Sequence, residues 1–146
     1  MGKCNFRVAV NLVFLKDNKV CLLRRYNTGW NDGMYALMGG HVEDGENPID
    51  AAKREAMEEF GVVVNNEDLN HLLTCSVYPD HVYLYFGCSN WQGEIKNMEP
   101  DQCDDVRFFD IDELPKNMLE VDRQSLNYIF KIEEKDSLYQ TFGYQK

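Results

Sequence analysis

The chain has 146 residues, of which 44% are hydrophobic and 27% charged, and carries a formal net charge of -10 at pH 7. A length of this order suits one domain that buries about two-thirds of its unfolded surface, and so acidic a chain is a poor partner for a nucleic-acid polymer or an anionic membrane, both of which select a basic face. No apolar run approaches the roughly 18 residues of a membrane span, the segment Met1 to Arg7 lacks the apolar stretch of a secretory signal, and the five scattered cysteines contain no Cys-x-x-Cys pair, which argues against a disulfide framework or a zinc site and for a cytoplasmic protein.

In chain order, Asn5 to Leu15 alternates apolar residues at Val8, Val10, Leu12 and Phe14, and Lys19 to Arg25 follows after a polar turn, which predicts a hairpin. Tyr26 to Gly33 is turn-rich. Met34 to Met38 is a short apolar piece that Gly39-Gly40 is expected to end. The clearest helix runs from Pro48 to Phe60: Asn47 can cap it, Pro48 suits its first position, Asp50 sits at the positive end of the dipole, and Gly61 can close it. Leu69 to Tyr78, His81 to Cys88 and Val106 to Ile111 read as strands, and Met118 to Ile132 has helical spacing at Leu119, Leu126, Ile129 and Phe130. The tail from Lys135 has no clear pattern. Strands, helix, strands and a closing helix predict an α/β domain over residues 1–146, with a mixed sheet and helices packed against it.

Helical spacing gathers Glu55, Glu58 and Glu59 within about 100° of arc. The apolar set Ile49, Ala52, Ala56 and Phe60 falls opposite, so the acidic stripe is expected to point away from the core. Two carboxylates about 5 Å apart repel by roughly 3 kcal/mol at an effective dielectric near 20, and Arg54 alone does not offset three of them. An acid-rich helix face by itself is usually just solvated. The preceding Gly40 turn and Glu46 loop alter that balance by bringing backbone and a further carboxylate towards the same stripe. An all-oxygen donor set of this kind suits Mg²⁺ or Mn²⁺, with phosphate and water completing the shell.

The stretch from Gly40 to Val62, GHVEDGENPIDAAKREAMEEFGV, matches every fixed position of the Nudix box, and the chain resembles the MutT-like Nudix hydrolases. The resemblance implies an α/β/α sandwich in which residues 40–62 form loop, helix and loop. By the family's pattern Glu55, Glu58 and Glu59 would bind the metal, with the Gly40 carbonyl as an extra ligand, Arg54 orienting the glutamates and Glu46 bracing the loop. A further ligand or base often comes from a later strand or loop, and Asp104 and Asp105 are the nearest candidates, with Asp105 the preferred ligand. A carboxylate among Glu55, Glu58, Glu59, Asp104 and Asp105 is expected to remove the proton.

The substrate implied is a small nucleotide-like molecule containing a diphosphate. Hydrolysis of a nucleoside triphosphate to the monophosphate and pyrophosphate is the leading expectation. A dinucleotide, NADH or nucleotide-sugar pyrophosphatase, and a nucleotide sensor without turnover, are the alternatives. Among Trp30, Tyr35, Tyr83 and Tyr85, which could stack on a base, Tyr35 and Tyr85 are the preferred contacts, although aromatics at strand spacing more often serve the core. Arg24 and Arg25 would point to opposite faces, with Arg24 chosen for the phosphates, and Asp122 is the candidate for a base edge. Ala36 and Leu119 stand where the members that sanitise oxidised purines carry Asn and Trp, which weakens that specificity; Met38 replaces a common Pro. Each of His41, His71 and His81 is a candidate base, His41 because it adjoins the box. Dimeric relatives leave room for a homodimer.

Overall fold

A computed structural model describes residues 2–142, apart from the side chain of Phe142. The elements in order are β1 (Arg7–Lys16), β2 (Lys19–Arg25), β3 (Tyr35–Ala36), β4 (Met38–His41), α1 (Pro48–Glu55), a π-helical turn (Ala56–Phe60), a 3-10 turn (Asn66–Asp68), β5 (Leu69–Val77), β6 (His81–Cys88), β7 (Cys103–Asp110), α2 (Glu120–Lys131) and β8 (Tyr139–Phe142). Among the described residues no helix is long and apolar enough to cross a membrane.

The sheet is mixed and forks at β1. Strands run in the order β3-β2-β1-β6-β5-β8, with β4 also on β1 and β7 also on β2. The first half of β1 pairs antiparallel with β4, from Ala9↔His41 to Leu12↔Met38, whereas only its end, Leu15 and Lys16, pairs with β2. Parallel pairing with β6 covers Arg7 to Phe14. Beyond the hairpin, β2 leaves β1 and takes β7 and β3 as neighbours.

Alternation along β1 builds two cores on opposite faces. Val10, Leu12 and Phe14 pack with Ala51, Ala52, Ala56 and Phe60 of the box helix, while Val13 packs with Tyr85, Leu73, Leu126 and Ile129 on the α2 side. One helix on each face of a mixed sheet is the expected layered α/β/α architecture. Phe60 is fully buried, with its ring 5.5 Å from that of Phe14, and burial of a side chain of this size contributes roughly 1.5–3 kcal/mol.

Three departures from the sequence expectation bear on the site. Gly39 and Gly40 do not end the apolar piece; they form the middle of β4, because Gly39 packs against Val10 O and Gly40 against the Glu55 carboxylate, leaving no room for a Cβ at either. The box helix is α-helical only to Glu55 and then widens into the π turn, which ends at Gly61 in the left-handed region (φ 68°). Strand β7 begins at Cys103, three residues earlier than expected, so Asp104 and Asp105 lie within a paired strand. The tail also supplies β8, parallel to β5.

Candidate active site

The site is assembled where β4 meets the box helix. Asn47 caps α1, its Oδ1 accepting the Asp50 N–H at 2.9 Å, and this fixes the helix start and the loop before it. Arg54 then draws the acidic residues together. Its Nε and Nη2 donate to the two oxygens of Glu46 at 2.8 and 2.9 Å, a bidentate pair, and Nη2 also donates to His41 O at 3.1 Å. From Nη1, bonds run to Glu55 Oε1 at 2.8 Å and Glu58 Oε2 at 3.2 Å. Glu46 also accepts the Glu43 N–H at 3.1 Å, and these bonds, Arg54 foremost, hold its carboxyl down at about 2.

The stripe does not face open solvent as the spacing suggested. Only Glu58 is open, with its side chain 51% exposed, whereas that of Glu55 is 11% exposed. Glu55 and Glu59 turn inward because β4 and the segment before β7 wall them in. A Cβ at Gly40 would stand 2.5 Å from Glu55 Cδ and 2.9 Å from Oε2, so this close approach requires glycine. Lys96 N–H donates to Phe60 O at 3.0 Å and Met98 N–H to Glu59 O at 3.1 Å. These two bonds satisfy carbonyls at the helix end and bring in Glu99, whose charge reaches both Glu55 and Glu59. Burial raises the pKa of Glu55, with Arg54 opposing it and Glu58 and Glu99 adding to it. Burial raises Glu59 well above the ordinary value, reinforced by Glu55 and Glu99 and opposed by a backbone hydrogen bond from Gly39.

Glu59 Oε2 is buried without a hydrogen-bond partner. A buried carboxylate oxygen of this kind, surrounded by further carboxylates, is costly unless it takes up a proton, as its raised pKa favours, or a cation meets it. With Gly40, Glu55, Glu58, Glu59 and Glu99 the donors are all oxygen, which fits a hard divalent ion. With Arg54 tied to Glu55 and Glu58, no three acidic groups among the described residues already close on one point.

Two cavities adjoin this cluster, and Arg25 lines both. One lies beside Glu59 and Glu99, with Thr28, Asn97 and Cys103 in its wall. The other lies beyond Gly39 and Gly40, between Trp30, Tyr83, Leu119 and Asp122. Arg25 donates from Nε to Trp30 O at 2.8 Å and from Nη2 to Thr28 Oγ1 at 2.9 Å, and its guanidinium lies 4.8 Å from the Trp30 ring centroid. Asp122 is buried under the second cavity, accepting the Leu37 N–H at 3.0 Å and the Tyr85 hydroxyl at 3.2 Å. Burial pushes its carboxyl up to about 6 against those two bonds. Asn11 also lines this cavity, and its Nδ2 is buried without a partner.

Several expected contacts lie elsewhere. Asp104 is paired with Arg24 at 2.7 Å. Asp105 accepts from the Tyr35 hydroxyl and from Arg107 Nε at 2.6 Å, both of which favour its ionised form. Pairing within β7 directs these two carboxylates to those partners, and the later carboxylate that reaches the box is Glu99. Arg24 and Tyr35 line neither cavity, because alternation along β2 directs Arg25 there instead and the Tyr35 ring packs edge-on to Phe109, 4.9 Å away. Tyr85 lies beneath the second cavity as a support for Asp122, while Tyr83 and Trp30 line it. Neither Glu99 nor Asn11 was singled out from the sequence: Glu99 sits in an irregular segment without periodicity, and Asn11 interrupts a strand otherwise read as core.

Comparison with known proteins agrees with this architecture. The Nudix domain profile matches residues 5–129. The ADP-ribose pyrophosphatase of Methanocaldococcus jannaschii is 35% identical over 115 residues, covering 75% of this chain and 64% of that protein. The NAD-capped RNA hydrolase NudC of Pseudomonas syringae pv. tomato is 34% identical over 112 residues, covering 75% and 38%. The chain thus spans less than two-thirds of the length of either relative. Among solved structures, a MutT Nudix hydrolase from Burkholderia pseudomallei superposes with a TM-score of 0.76 at 24% identity, over 83% of this chain and 95% of that one. With the profile spanning most of its length and the box glutamates gathered on one helix against Gly40, the chain belongs to the Nudix family.

Proposed function

We propose that the chain is a divalent-metal-dependent pyrophosphohydrolase that cleaves the diphosphate linkage of a nucleoside diphosphate derivative. The observation that carries this reading is the unpartnered Glu59 Oε2 within a wall of carboxylates, next to two cavities that share Arg25. Glu55, Glu59 and the Gly40 carbonyl, with Glu58 and Glu99 beside them, would hold Mg²⁺ or Mn²⁺; Glu99 takes the part first assigned to Asp105. When bound, the ion supplies positive charge against the phosphate oxygens and Lewis acidity towards water.

The residues of the chain do the rest. Arg54, anchored by Glu46, holds Glu55 and Glu58 together through its Nη1. Glu58, the most exposed of the three, accepts the proton as water attacks phosphorus and the bond to the bridging oxygen breaks. Arg25 leaves Thr28 and Trp30 to meet a phosphate, and the second cavity receives the nucleoside, with Trp30 and Tyr83 flanking it and Asp122 below.

The names of the two curated relatives point to nucleotide conjugates, so ADP-ribose is the first substrate to try, ahead of the nucleoside triphosphates that the sequence alone favoured. The test incubates the protein with ADP-ribose, NADH, dinucleoside polyphosphates, nucleotide sugars and nucleoside triphosphates, with Mg²⁺ or Mn²⁺, and identifies both products by mass. Metal-dependent release of a nucleoside monophosphate is expected. Glu58→Gln should fold normally and lose turnover by on the order of 10²–10³-fold. Binding of nucleotides without cleavage of any of them would leave a sensor, and undiminished turnover in Glu58→Gln would remove the role given to that residue.

A further inference from the structure

Outside the carboxylate cluster, the structure brings two histidines together from different strands. His41 ends β4 and His81 begins β6, and they flank β1 at the Ala9 and Arg7 positions. Their Nε2 atoms stand 3.3 Å apart, with ring centroids 5.5 Å apart. His81 Nδ1 lies 2.9 Å from Asp80 Oδ1. A carboxylate there favours the ring proton on Nδ1, so that the His81 Nε2 lone pair accepts from His41 Nε2–H, and the same carboxylate–histidine pairing orients metal-ligating histidines. Asp80 is itself held in place, its carbonyl accepting the Arg7 N–H at 2.8 Å.

We propose that His41 Nε2 and His81 Nε2, with Asp80 orienting His81, form a second metal site, selective for a tetrahedral transition ion of the Zn²⁺ class. An ion on the pair would displace the proton that the two Nε2 atoms share. Two nitrogens each about 2.0–2.1 Å from a tetrahedral ion stand about 3.3–3.4 Å apart, whereas adjacent positions of a square or octahedron bring them to about 2.9 Å. The observed 3.3 Å matches the tetrahedral separation. Two imidazoles are unsuited to Mg²⁺, which takes oxygen, so the sites sort their ions by donor chemistry. Among the described residues no third histidine, cysteine or carboxylate completes the group, and two positions remain for water or a ligand atom. His41 lies at the rim of the cavity that holds Asp122 and is exposed there. An ion on this pair therefore faces the entrance to that cavity. Its binding does not depend on whether the protein cleaves diphosphates.

The test is calorimetric titration of the full chain with ZnCl₂, with excess MgCl₂ present to occupy the carboxylates. One equivalent of Zn²⁺ should bind the wild type, and Co²⁺ in its place should give the intense visible absorption of tetrahedral coordination. His81→Ala and His41→Gln should each abolish binding with unchanged melting temperatures, Asp80→Asn should weaken it about 10–100-fold, and Glu58→Gln should leave it intact. Undiminished binding in His81→Ala, loss of the same binding in Glu58→Gln, weak octahedral Co²⁺ bands, or no binding to the wild type would each overturn the proposal.

Discussion

The two sides of β4 treat buried carboxylates in opposite ways. Towards α1, Glu55 and Glu59 are crowded by other acids, and one oxygen of Glu59 has no partner. Towards α2, Asp122 is buried still more completely, yet both its oxygens accept hydrogen bonds and no other acid is among the causes of its shift. Burial raises the pKa in all three. The unpartnered atom on the α1 side is an acidic oxygen, whereas on the α2 side Asp122 is satisfied and the unpartnered atom is a donor, Asn11 Nδ2.

The sharpest way to break this contrast is at the glycine pair. Gly40→Ala places a methyl against a side chain that can swing away, so the fold should survive while turnover falls by on the order of 10²-fold as Glu55 is displaced. At Gly39 the obstruction is the backbone carbonyl of Val10, which cannot move alone, and Gly39→Ala should lose on the order of 3 kcal/mol of stability. Urea unfolding and kcat of both variants test the pair; equal stability losses would show that the two sides do not differ as described.

Asp122 gives the next largest effect. Its carboxyl stands near 6 in the fold against the ordinary 3.8, so between those values the folded protein keeps a proton that the unfolded chain has released. Stability from this group is full below about 3.8 and is lost as pH rises through about 6. The whole difference is worth up to about 3 kcal/mol. Asp122→Asn, with Oδ1 accepting from Leu37 and Nδ2 donating to Tyr85, should be more stable than wild type at pH 8 and closer to it at pH 4. Parallel pH dependence of melting in the two proteins would contradict this account. Smaller effects separate the adjacent arginines. Arg25→Ala should raise KM about 10-fold or more through loss of a charged contact, whereas Arg24→Ala, which breaks a half-exposed pair with Asp104, should leave KM alone and change stability by less than about 1 kcal/mol.

The same contrast explains what the sequence made legible. The carboxylate side was readable because Gly40, Glu46, Arg54, Glu55, Glu58 and Glu59 lie within one short stretch at fixed spacing. The capped helix, the hairpin and the paired central strands followed from local patterns as well. The cavity side draws Asn11, Arg25, Tyr83 and Asp122 from four separate elements, and nothing local distinguishes Asn11 from a strand residue or Arg25 from Arg24. The π turn was also invisible, since its i+5 bonding leaves no signature in a pattern that reads equally well as α-helix. Glu99 depended on backbone bonds from Lys96 and Met98 to the helix end. Strand β8 pairs at the sheet edge through backbone groups, which impose no apolar alternation on the tail.

Arg25 borders both chambers, and no other residue is common to their walls. Its guanidinium is held on one side by the Trp30 carbonyl and the Thr28 hydroxyl. A single planar cation at the boundary ties the occupancy of one chamber to that of the other, because whatever draws it from these two oxygens changes the wall of both at once.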